Sequence, residues 1–142
     1  MTRVLGIDWG EKRIGTALSD PDRIIATAYQ VLTPESEDAT VASIRQIVEE
    51  QSVGGVVVGL PLNMDGSFGP QAQKANALAD RLRADLPVPV DTWDERLTSR
   101  TAESALIEAG TRREKRRQLV DKVAAQVMLQ HYLDAHAINE TE

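Results

Sequence analysis

The chain has 142 residues, 42% of them hydrophobic and 27% charged, with no cysteine and a net charge of −6. That length suits one domain, residues 1–142, with a sizeable core, and the missing cysteines exclude disulfides, thiolate zinc sites and cysteine nucleophiles. No apolar run approaches the roughly 20 residues that span a bilayer, and a strand pattern begins almost at once, leaving no room for a signal peptide. A cytoplasmic protein with no membrane partner is therefore expected.

Residues 3–9 alternate, with Leu5, Ile7 and Trp9 on one face and Val4, Gly6 and Asp8 on the other, which predicts a strand. Gly10-Glu11 predicts a tight turn into a second strand over 13–19, and Asp20-Pro21-Asp22 a turn into a third over 24–32. From Ala39 to Gln51 the period becomes helical, through Val41, Ile44, Ile47 and Val48. Val56 to Leu60 is a continuous apolar run, as in a strand covered on both faces. A loop rich in Asn, Asp and Gly follows over 61–69, then a helix over 70–84 with Ala75, Leu78, Ala79 and Leu82 inside. Val88 to Trp93 is the fifth strand; Thr98 caps a third helix that Gly110 stops, and 114–135 form a long last helix.

The order β-β-β-α-β-α-β-α predicts an α/β domain. Right-handed crossovers give a five-stranded mixed sheet of order 3-2-1-4-5, strand 2 antiparallel, with helices on both faces. The carboxyl ends of strands 1, 4 and 5 then share one edge, where open α/β sheets place their sites.

Three acids, far apart in sequence, belong to that edge: Asp8 after strand 1, Glu95 after strand 5, and Asp121 on the last helix beside the small Ala124 and Ala125. Gathered carboxylates repel unless a cation sits among them, and an all-oxygen set suits Mg²⁺ or Mn²⁺. These three are the candidate catalytic and metal-binding residues. Neighbouring strand residues face opposite ways, so Asp94 is kept as a supporting or capping group. An acid on strand 1 or at an Asp94-Glu95-Arg96 turn also fits a solvated surface, and Asp121 could pair with Lys122 or Arg117. The loop at 61–69 reads either as a phosphate cradle before a helix N-terminus or as a plain connection, with Asp65 a turn residue. Trp9 and Trp93 fit packing or base stacking. His131 and His136, five apart, do not share a helical face, so no zinc pair is expected.

Net charge alone argues against a polyanionic partner. Its distribution does not: between residues 96 and 122 the bases Arg96, Arg100, Arg112, Arg113, Lys115, Arg116, Arg117 and Lys122 outnumber the acids Glu103, Glu108, Glu114 and Asp121. Local field steers a polyanion. Lys12, Arg13, Arg96, Arg112, Arg113, Lys115, Arg116, Arg117 and Lys122 are the candidate nucleic-acid contacts.

With these segments in view, the chain resembles the YqgF/RuvX family, described both as Holliday junction resolvases and as pre-16S rRNA nucleases. The matching blocks are GIDWGEKRIGTALSD (6–20), VVGLPLNMDGSFGPQA (57–72), DERLTS (94–99) and VDKVAAQVMLQHYLD (120–134), in the family's order. The resemblance implies a ribonuclease H-like fold and Mg²⁺- or Mn²⁺-dependent cleavage of structured nucleic acid. The family's acids fall on Asp8, Glu95 and Asp121. Junction resolvases of the wider superfamily carry an acid at the end of strand 4, where this chain has Gly59-Leu60, and Ser99 stands where many members have threonine.

The expectation is a nuclease that processes the 5′ end of precursor 16S ribosomal RNA, as a monomer or homodimer. Its alternatives are a resolvase acting on branched DNA in recombination and repair, and a non-catalytic RNA-binding assembly factor. A sugar kinase or ATPase would need a second domain to clasp its nucleotide.

Overall fold

A computed structural model describes residues 2–33, 35–95 and 113–140, with backbone alone over 113–122 and 137–140. Strands β1 (Arg3–Asp8), β2 (Ile14–Ser19) and β3 (Ala26–Leu32) are followed by helix α1 (Glu37–Glu50), strand β4 (Val53–Leu60), helix α2 (Pro70–Asp85), strand β5 (Val90–Asp94) and helix α3 (Arg113–Glu140). The sheet order is β3-β2-β1-β4-β5. Strands β1, β2 and β3 pair antiparallel, while β1–β4 and β4–β5 pair parallel. The predicted order is met. The helix expected from Thr98 lies outside the described residues.

Alternation along the strands divides the core in two. Leu5, Ile7, Ile14, Val56 and Val58 face α1 and α2, whose Ile44, Ile47, Ala75, Leu78 and Leu82 pack on them. Val4, Ala17 and Val57 face α3 through Ala125, Met128, Leu129 and Leu133. A side chain on Gly6 would press the Leu129 Cβ at 3.0 Å, so the bare backbone there lets α3 lie close to the sheet. Gln130 fixes the helix lengthwise: its Oε1 accepts from the Ala26 amide at 2.9 Å, and its Nε2 donates to the Ile24 carbonyl at 2.8 Å. At the other sheet edge the Tyr132 hydroxyl donates to Asp91 at 3.1 Å, and the Tyr132 ring meets Trp93 edge-on.

Several boundaries move for local reasons. Helix α1 starts two residues before Ala39 because Ser36 caps it, its hydroxyl accepting from the Ala39 amide. Strand β3 starts at Ala26, not residue 24, because the Asp20 carboxylate accepts from both the Ile24 and Ile25 amides at 2.7 and 2.8 Å. Those amides are then lost to any ladder, and Arg23 turns through φ 60°. Strand β4 starts three residues early, with the glycine pair inside it: Arg3 lies opposite Val53 and Val4 opposite Gly55, a bulge around Gly54.

Candidate active site at the carboxyl edge of the sheet

Asp8 is the last residue of β1, two positions on from Gly6 and so on the face covered by α3. The parallel ladder sets Asp8 opposite Gly59, Gly59 opposite Trp93, and Leu60 opposite Asp94. One further backbone bond, from the Glu95 amide to the Leu60 carbonyl at 3.1 Å, extends that ladder past β5. Glu95 therefore faces the same side as Trp93 and Asp8, while Asp94 is exposed on the other side.

The Glu95 side chain lies across the end of β4. A Cβ on Gly59 would fall on its Cγ, Cδ and Oε1. The absent side chain of Gly59 is thus the seat of the Glu95 carboxyl, which occupies the space an acid on strand 4 would need. Glu95 is 3% exposed. Its pKa is pushed well above the usual carboxyl range, first by burial, then by the charge of Asp8 and a hydrogen bond with it, and last by Asp94. Among the described residues Oε1 is buried with no hydrogen-bond partner. A buried carboxyl oxygen aimed at no donor, beside a second carboxylate, is a costly arrangement that a cation would relieve.

Asp121 belongs to α3, and its side chain lies outside the described atoms. Leu129 meets Gly6 and Gln130 meets Ala26, whose strand partner is Ser19. The helix therefore runs opposite to β1, and its earlier turns lead toward Asp8. Asp121 stands two turns before Leu129, in line with buried Ala125. Among the described residues no three His, Cys, Asp or Glu side chains stand close enough to hold a metal. The described part of the candidate donor set is the Asp8–Glu95 pair, and its oxygens are of the kind Mg²⁺ and Mn²⁺ prefer.

Lys12 and Arg13 lie in the β1–β2 turn just past Asp8, Lys12 exposed and Arg13 half-buried. Gly10 is obligatory there, because any Cβ would strike the Arg13 carbonyl. Arg96 and Arg112 lie outside the described residues. Arg113, Lys115, Arg116, Arg117 and Lys122 are described by backbone only, all in the first ten residues of α3. The basic stretch thus leads into the same end of the helix that carries Asp121.

The two tryptophans pack. Trp9 rests against the core beneath α1 and α2, on the face away from Asp8, and Trp93 stands edge-on to Tyr132 at 5.8 Å. The 61–69 loop is bonded to itself. The Leu62 amide donates to the Leu60 carbonyl, Asn63 to Ser67, Gly66 to Asn63, and Ser67 to the Asp65 carboxylate. Those four amides are consumed, and Pro70 brings none to the first turn of α2, whose N-cap Gly69 makes no side-chain cap bond. The role of Gly59 was missed by sequence reasoning. The available signal was a glycine closing an otherwise apolar buried strand, opposite the proposed acid.

A mixed five-stranded sheet in this order, with helices on both faces, is the ribonuclease H-like fold of junction resolvases. The RuvC of Thermus thermophilus, solved in complex with a Holliday junction substrate, superposes with a TM-score of 0.59 at 17% identity, covering 96% of each chain. The Holliday junction resolvase of fowlpox virus gives 0.60 at 12% identity, over 95% of this chain and 99% of that one. A family model described as RuvX, Holliday junction resolvase, matches residues 2–135, and this chain belongs to that family. A relative from Pelotomaculum thermopropionicum, named "Putative pre-16S rRNA nuclease", is 47% identical over 94% of this chain and 87% of its own length. One from Symbiobacterium thermophilum, of the same name, is 43% identical over 99% and 97%.

Proposed function

We propose that the protein is a cytoplasmic, metal-dependent endonuclease that hydrolyses phosphodiester bonds in structured nucleic acid, acting at the 5′ end of precursor 16S ribosomal RNA during ribosome assembly. One observation carries the reading: two carboxyl groups from different strands are pressed together at the carboxyl edge of the sheet, and one of their buried oxygens has no donor among the described residues. Asp8, Glu95 and Asp121 would hold Mg²⁺ or Mn²⁺. Such an ion supplies a Lewis acid that makes water nucleophilic at neutral pH and steadies the leaving oxygen.

The chain's own residues do the rest. With a cation bound, Asp8 and Glu95 would present two carboxylates toward the reacting phosphate. The tight turn at Gly10 holds Lys12 and Arg13 beside that position to neutralise a flanking phosphate. Arg96, Arg112, Arg113, Lys115, Arg116, Arg117 and Lys122 extend the positive track and give contacts that position the strand without reading its sequence.

A second reading, cleavage of four-way DNA junctions, is favoured by the description of the family model and by the RuvC likeness in fold. One assay tests both. Purified protein is incubated with a precursor 16S RNA fragment and with a four-way junction, each with Mg²⁺, Mn²⁺ or a chelator. Metal-dependent cutting of the RNA that Asp8→Asn abolishes is the expected result. Cutting of the junction alone would favour the resolvase, for which symmetric incision suits a homodimer where end-trimming suits a monomer. Binding without cutting by either protein would leave an assembly factor.

A further inference from the structure

The loop after β4 bonds four of its amides within itself or to Leu60, and it keeps two large apolar side chains outside. Met64 is 78% exposed and Phe68 46%. Phe68 is the chain's single phenylalanine. The loop is braced: the Asp65 carboxylate accepts from the Ser67 amide and hydroxyl at 2.9 and 2.6 Å, and the Asn63 side chain donates to the Ser67 hydroxyl at 3.0 Å. Gly66 takes φ 87° at its tip, and Gln73 of α2 donates to the Phe68 carbonyl at 3.2 Å. These bonds brace the backbone that carries Met64 and Phe68.

Its position links it to the carboxylates. The loop springs from Leu60, the residue whose carbonyl accepts from Glu95. Its two ends close on one another, since a Cβ on Gly69 would lie 3.1 Å from the Asn63 Oδ1. Asn63 is three residues from Leu60, at most about 10 Å of extended chain. Phe68, next to Gly69, therefore stands within a few nucleotides of any phosphate held at Asp8 and Glu95. Both tryptophans are partly buried, each packed against one half of the core, whereas the Phe68 ring is exposed.

We propose that the 61–69 loop is a base-contacting wedge, with Phe68 stacking on an unpaired nucleobase beside the cleaved bond and Met64 covering its neighbour. The inference rests on the nuclease reading and narrows its substrate to strands with unstacked bases near the cut, such as a single-stranded arm next to a helix. An aromatic face serves every base alike, so the contact selects unpaired structure, not sequence. Phe and Met are also side chains that architectural proteins push between base steps.

The test uses the full chain and Ca²⁺ in place of the catalytic ion. Two RNA probes are compared by fluorescence anisotropy: a hairpin with a single-stranded 5′ arm carrying 2-aminopurine, and the same hairpin fully paired. Phe68→Leu keeps an apolar side chain of similar bulk but has no ring; Phe68→Tyr keeps the ring. The leucine variant should bind the armed probe on the order of 10-fold more weakly, the worth of one stacked base, and lose the quenching of 2-aminopurine. The tyrosine variant should retain both, and the paired probe should bind all three proteins alike. Unchanged binding of the armed probe by Phe68→Leu, or equal loss on both probes, would overturn the wedge while leaving the nuclease reading in place. If wild type binds neither probe, the nuclease reading fails and the wedge with it.

Discussion

At the scale of single residues the site is a conflict held in place by its surroundings. Glu95 is buried, faces Asp8 and has an oxygen without a donor among the described residues. Its folded-state pKa is raised, so the native state holds this proton more tightly than the unfolded chain. The cost is absent below the ordinary glutamate value of 4.5 and grows as pH rises through the interval up to the folded pKa. Metal-free protein should therefore lose stability as pH climbs from about 4.5 toward neutrality, and Glu95→Gln should remove that loss. At neutral pH the glutamine variant should be the more stable, measured by urea unfolding in chelator. Saturating Mg²⁺ should raise the melting temperature of wild type and leave Glu95→Gln unmoved. A glutamine variant less stable than wild type at neutral pH would count against a strained carboxyl pair. Gly59 bears on the same atoms. Gly59→Ala puts a methyl where the Glu95 carboxyl lies, so it should cut cleavage by at least 10-fold while circular dichroism shows an intact fold. Full activity in Gly59→Ala would mean that Glu95 works from elsewhere.

At the scale of elements the legibility of the sequence is uneven, for physical reasons. The period-2 alternation of β1 and the apolar run of β4 were readable because burial on one or both faces writes itself directly into residue type. The start of β3 was not. Ile24 and Ile25 look like strand residues, yet both are 61% exposed, because Asp20 captures their amides through a side chain. The Gly54-Gly55 pair reads as punctuation but lies inside β4, where a bulge tolerates it. Helix α3 depends on Gly6, whose meaning emerges only when Leu129 is set against it. Gly6→Val should force the helix away from β1 and cost about 1–3 kcal/mol as overpacking, read by urea denaturation. Its cleavage defect should exceed that of an equally destabilising change at Leu82, which points inward from α2 on the far face of the sheet. Equal defects would mean that the close approach of α3 matters only for stability.

For the whole molecule, topology was legible, and the manner in which Asp8 and Glu95 meet was not. Strand order follows from connection rules, and those rules alone bring Asp8 and residue 95 to one edge. That Glu95 should reach back over β4 into the space left by Gly59 depends on three strands at once, which no spacing along the chain encodes. Charge shows the same limit. The total of −6 hides a basic stretch that enters α3 just before Asp121. If that stretch meets phosphates, Arg116→Ala with Arg117→Ala should weaken RNA binding and lower the slope of log affinity against log salt by about 1–2, one contact per residue removed. An unaltered slope would assign those arginines to solvent.

The account as a whole stands on cation capture between strands β1 and β5. Its most direct measurement is titration of Mn²⁺ into metal-free protein, followed by the loss of the free-ion paramagnetic resonance signal. Wild type should bind the ion with proton release, and Asp8→Asn and Glu95→Gln should each lose most of that affinity. Wild type that leaves Mn²⁺ free at millimolar concentration, or a Glu95→Gln protein that binds it as well as wild type, would contradict the account.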